Sequence, residues 1–169
     1  LKIDDGPQDA HETLMKLLDA IEPSCDKSLF YGTAVQECTS KTGTEVTKTD
    51  IGCIILQPAN SLEDSIRAFL EGECVRTGDA TFTYKRTMVE KFPEVVVYMF
   101  PAPRHIRIPE RDAWSGKVVR GAVIHVGSAH HGHYVALVRE AESWFLIDDM
   151  SIVGVKSLDE VPVYMLVYS

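Results

Sequence analysis

The sequence contains no run of about 18 apolar residues, the length a membrane-crossing helix requires. Its opening, LKIDDGPQDAHE, is acidic, where a signal peptide would place a basic stretch before an apolar one. Neither a membrane span nor an export signal is therefore expected. Clustered Lys and Arg are also absent: 17 basic side chains face 25 acidic ones, a net charge of -8. That balance argues against a surface that tracks nucleic-acid phosphates and favours a basic partner. The four cysteines, Cys25, Cys38, Cys53 and Cys74, are too few and too scattered for a disulfide scaffold, and no CxxC pair occurs among them. A reducing compartment, cytoplasmic or nuclear, is the expectation.

No repeat, low-complexity tract or long linker divides the 169 residues, so one domain spanning 1–169 is expected. Ala10, Leu14, Leu17, Leu18 and Ile21 share one helical face between Pro7 and Pro23, and Asp9 and Glu12 suit the positive end of that helix dipole. A second helix is predicted from Ser61, capped with Asp64, to Gly72. Between the helices, 29–35 and 51–56 read as strands joined by the turn-prone SKTGTE segment. Later strands are predicted at 82–89, 95–100, 121–127, 133–139, 143–148, 151–155 and 163–168, with 101–120 mainly a connection. VVVYMF, 95–100, has the continuous apolar character of a strand buried on both faces. The closely spaced C-terminal strands suggest an antiparallel meander.

The segment SAHHGHYVALVRE, 128–140, places three histidines in four positions. With His125, the imidazoles of His130, His131 and His133 could serve a metal, although zinc sites usually add ligands at a second, spaced position. They could equally be ordinary residues of a loop and a strand start, the reading favoured for His130 and His131. The third reading is general-base catalysis, with a carboxylate orienting one imidazole. If 133–139 and 143–148 form a hairpin, His133 at the start of one strand lies beside Asp148 and Asp149 at the end of the next. Gly132 would leave the backbone bare for an extended substrate.

The blocks QDAHETLMKLLDAIE (8–22), FYG (30–32), SLEDSIRAFLEGE (61–73), FPEVVVYMF (92–100), GHYVALVRE (132–140), WFLIDDMSIVGV (144–155) and VYMLVY (163–168), in this order, resemble the catalytic domain of ubiquitin-specific proteases. The resemblance implies an α+β, papain-like cysteine protease fold: a helical thumb portion, an antiparallel β palm and shortened fingers. It implies His133 as general base, Asp148 as its orienting carboxylate and Asp149 as an assisting neighbour. It further implies that Asp9, His11 and Glu12 grip the arginine-bearing tail of ubiquitin, and that Gly132 and Tyr134 line the channel for its terminal glycines. The implied activity is thiol hydrolysis of the peptide or isopeptide bond at the C-terminal glycine of ubiquitin, without metal or other cofactor. Ubiquitin or a ubiquitin-like protein, with its conjugates, would be the partner.

Three departures qualify that expectation. The Gly-Asn-Thr-Cys-Tyr-like block that carries the family's nucleophile is absent, and the chain starts at Leu1 rather than Met. The domain is accordingly expected to be truncated on its nucleophile side, and none of the four cysteines is expected to substitute; Cys53 reads as a small buried hydrophobe. The zinc-binding cysteine pairs of the fingers are missing, and the stretch between VVVYMF and RIP is compressed. An inert module that binds ubiquitin or a ubiquitin-like protein is the alternative to an enzyme.

Overall fold

A computed structural model describes residues 9–77, 81–128, 131–156, 158 and 160–169. Helix α1 (Ala10–Ile21) forms where the sequence predicts it, with the run of helical backbone bonds closing before Pro23. Helix α2 (Leu62–Glu71) is capped by Ser61, whose hydroxyl accepts from the Asp64 N–H at 3.1 Å. The Asp64 carboxylate turns instead to Arg67, three residues on. Gly72, at φ 81° and ψ -179°, takes a positive-φ conformation that glycine adopts readily and that ends the helix.

Eleven strands are formed by the described residues: β1 (Gly32–Ser40), β2 (Gly43–Ile51), β3 (Ile54–Ile55), β4 (Glu73–Thr77), β5 (Thr81–Lys91), β6 (Val96–Ile106), β7 (Val119–Ser128), β8 (His131–Glu140), β9 (Ser143–Asp148), β10 (Ser151–Val155) and β11 (Val161–Tyr168). They make two sheets, β2-β1-β5-β4 and β10-β9-β8-β7-β11-β6-β3, antiparallel throughout except where β3 meets β6. No helix among the described residues is long and apolar enough to cross a membrane.

Strand β6 explains the apolar run. Val96, Tyr98 and Phe100 pack with Leu62 and Ile66 of α2 on one face, while Val97 and Met99 pack with Ala10 and Leu14 of α1 on the other. Two cores thus sandwich the large sheet, and the alternation of side chains across one strand serves both. The Tyr98 hydroxyl reaches the buried Asp112 at 2.5 Å, and Asp112 also accepts from the Trp114 and Ser115 N–H groups. This pins 107–118 against the palm.

The structure corrects four expectations. The first hairpin runs through polar residues, Gly32–Ser40 against Gly43–Ile51, instead of the apolar pieces 29–35 and 51–56. Apart from the buried Gly32 and Ala34 its residues are half-exposed or exposed, so the Thr and charged residues along it carry no apolar signal. Strand β4 was missed. Residues 101–106 continue β6 instead of being a connection. Finally, the C-terminal strands are not a simple meander, because β11 inserts between β7 and β6.

Candidate functional site

The β7-β8-β9 region builds the site. Strands β8 and β9 pair in the register Ala136↔Ile147, which brings the end of β9 level with the start of β8. His133 Nε2 lies 2.5 Å from Asp148 Oδ1, and both side chains are about half exposed, 50% and 47%. The hydrogen bond to Asp148, opposed by desolvation but reinforced by the negative charges of Asp148 and Asp149, raises the imidazole pKa above its ordinary value. With Nε2 committed to the carboxylate, Nδ1 is the nitrogen whose lone pair remains for another group in the neutral imidazole. A side-chain bond just beyond the end of that ladder thereby joins the His133 and Asp148 that the sequence pairs.

Asp149 follows in the two-residue turn to β10, at φ 50°. The ligand atoms of His133, Asp148 and Asp149 lie within 4.8 Å of one another, the group among the described residues whose donors could share a cation.

Asp9 caps α1 rather than lying within its first turn. Its Oδ1 accepts from the His11 N–H at 2.9 Å and the Glu12 N–H at 3.1 Å. Its Oδ2 accepts from Tyr164 at 2.7 Å and Tyr134 at 3.1 Å. Partial burial pushes the carboxyl upward, but the donors from Tyr164, Glu12, Tyr134 and His11 outweigh it and hold Asp9 below the usual carboxylate range. Two oxygens offer about four acceptor positions, and all four are taken inside the chain. Glu12 stays exposed on the solvent side of α1; His11 supplies its backbone N–H to the cap.

Gly132 pairs with Gly127 on β7, and a Cβ at Gly132 would fall 2.0 Å from His125 Nε2. The bare backbone expected for a substrate is thus overlaid by this imidazole. His131 opens β8 opposite Ser128 and is exposed, a strand residue in place of the expected loop residue; His130 lies outside the described residues. Sequence reasoning did not find Tyr164, or His125 outside the metal reading. Taking 121–127 and 133–139 as a hairpin would have set His125 opposite Tyr134; the irregularity that exposes Tyr164 to Asp9 leaves no mark in composition.

Three of the cysteines lie on or beside elements other than the strands of the dyad, and Cys53 packs against the apolar cluster that Tyr134 also joins. Cys38 and Cys74 lie on strands of the smaller sheet, and Cys25 lies just beyond α1. Burial pushes the Cys53 thiol up to about 12, far from a thiolate at neutral pH.

Residues 118–168, which hold both members of the dyad, match the family model described as ubiquitin carboxyl-terminal hydrolase. No curated protein matches the sequence. Among solved structures, a SAGA Ubp8/Sgf11/Sus1/Sgf73 DUB module bound to ubiquitin aldehyde is similar at TM-score 0.76 and 17% identity, over 96% of this chain and 49% of that one. A SAGA DUB module of the same four proteins, with a Cys-to-Ala substitution in Ubp8 and bound to monoubiquitin, gives 0.79 and 18%, over 96% and 48%. The Ubp8-Sgf11-Sgf73-Sus1 SAGA DUB module gives 0.79 and 18%, over 98% and 49%. The chain therefore spans about half the length of these relatives and shares the fold of that half.

Proposed function

We propose that this chain, whose residues 118–168 match the ubiquitin carboxyl-terminal hydrolase model, belongs to the ubiquitin-specific proteases and supplies the base half of a thiol hydrolase acting at the C-terminal glycine of ubiquitin or a ubiquitin-like protein. The observation that carries the reading is the 2.5 Å bond from His133 Nε2 to Asp148, which leaves Nδ1 for a thiol. Asp148 fixes the tautomer and favours the imidazolium that forms on proton transfer. Asp149 adds negative charge beside it. The nucleophile is a cysteine outside residues 1–169: Cys25, Cys38 and Cys74 belong to other parts of the fold, and burial holds the Cys53 thiol far from a thiolate.

In the reaction, Nδ1 takes the thiol proton as the sulfur bonds to the glycine carbonyl carbon. Collapse breaks the C–N bond as the imidazolium returns its proton to the leaving amine. Water, deprotonated by the same nitrogen, then attacks the thioester and releases the glycine carboxylate and the thiol. The exposed Glu12, in an acidic chain, suits the cationic side chains of the ubiquitin tail. Asp9 and His11 shape that surface through the α1 cap, and Gly132 and Tyr134 form the neighbouring part of the channel. The whole of 1–169 acts as one domain, in the cytoplasm or nucleus.

The unreactive, buried Cys53 thiol and the placement of Cys25, Cys38 and Cys74 on or beside other elements favour a second reading, an inert module that holds ubiquitin. Hydrolysis of ubiquitin carrying a C-terminal reporter amide by the full-length polypeptide tests the choice. Turnover that falls about 10²–10⁴-fold in His133→Ala supports the hydrolase. Saturable ubiquitin binding with no turnover establishes the module instead.

A further inference from the structure

His133 sits where its strand is least supported. The ladder of β8 with β9 extends only as far as Ala136↔Ile147, whereas Val126↔His133, Gly127↔Gly132 and Ser128↔His131 attach the start of β8 to β7 alone. His131, Gly132 and His133 are all exposed. A base whose lone pair must meet a reacting proton within hydrogen-bond reach needs a fixed backbone, and a one-sided ladder does not provide it.

Support comes from the reverse side. Successive side chains of a strand alternate faces, so Gly132 and Tyr134 share the face opposite His133. On that face the His125 ring lies over Gly132, in the volume a Cβ would occupy, and its centroid is 4.7 Å from that of Tyr134. The Tyr164 ring stands 5.2 Å from Tyr134, and both phenols donate to Asp9.

Tyr164 reaches this place because β11 bulges at it. Val163 and Met165 pair with the consecutive residues Ile124 and Val123, leaving Tyr164 as the extra residue, and it enters the same apolar cluster as Met165. A bulge that re-aims one side chain is a device common beside active sites.

We propose that His125 and Tyr164 are positioning residues: with the Asp9 carboxylate they clamp Gly132 and Tyr134, and so fix the backbone from which His133 meets Asp148. The kinetic consequence rests on the hydrolase reading, but the clamp itself does not.

The test separates the two. In chain 1–169, NMR titration follows the His133 imidazole in Tyr164→Phe, His125→Ala and His125→Phe. Loss of the clamp thins the population bonded to Asp148, so the His133 pKa falls toward its ordinary value in Tyr164→Phe and His125→Ala, and the ring retained in His125→Phe restores it. A His133 pKa unchanged in the folded Tyr164→Phe and His125→Ala proteins overturns the proposal, whatever their melting temperatures. In the full-length polypeptide, Tyr164→Phe lowers kcat about tenfold with KM within about twofold. A rise in KM alone would make Tyr164 a substrate contact and also overturn the clamp. A shifted pKa in a full-length protein that never turns over would sustain the clamp and defeat the hydrolase.

Discussion

At the scale of single residues, Asp148 and Asp9 are carboxylates with different tasks. Asp148 bonds to an imidazole half in solvent. Asp148→Asn keeps the shape but removes the charge, so the His133 pKa should fall by NMR and turnover of the full-length polypeptide should drop about 10²-fold or more. The raised His133 pKa adds stability that is complete below the unfolded value and disappears as pH rises through the folded one. Asp9 has the opposite sign. Its depressed pKa adds stability that is complete above the ordinary carboxylate value of about 3.9 and is lost as pH falls through the folded value below it. Hydrogen exchange in α1 should therefore accelerate selectively below about pH 4, and Asp9→Ala should bring that fast exchange to neutral pH, costing about 2 kcal/mol in denaturant unfolding. The dyad was legible in sequence because GHY and the Asp pair sit on strong strand signals. The saturation of Asp9 was not, because its two phenol donors lie 125 and 155 residues away.

At the scale of elements, legibility followed burial. Both helices were readable because each carries an apolar face with a stop signal, Pro23 or Gly72. The buried half of β6 was readable for the same reason. Its second half was not: Pro101 and Pro103 suggest a connection, yet they fall between Met99 and Arg104, where the ladder with β11 breaks register. Prolines are tolerated there because no ladder hydrogen bond is asked of them. The β1-β2 hairpin escaped because its exposed strands need no apolar side chains. Asp112 shows how the element after β6 is held. Replacing it with Ala leaves the buried Tyr98 hydroxyl and the N–H groups of Trp114 and Ser115 without their acceptor, and should cost about 2–4 kcal/mol by chemical denaturation.

At the scale of the molecule, the large sheet carries the bonded His133 and Asp148 side chains on β8 and β9 and holds a core on each of its faces. The chain spans about half of the solved relatives. The cysteines within it are distributed for packing and surface positions, with Cys53 the clearest case. The proposed hydrolase reading requires His133 to serve a thiol from outside residues 1–169. Its most direct measurement is mass spectrometry of the full-length polypeptide and of chain 1–169, each mixed with ubiquitin bearing a thiol-reactive C-terminal group. The expected result is an adduct on a cysteine outside 1–169, formed by the full-length polypeptide and lost in His133→Ala. An adduct on Cys25, Cys38, Cys53 or Cys74 in the isolated chain would contradict it.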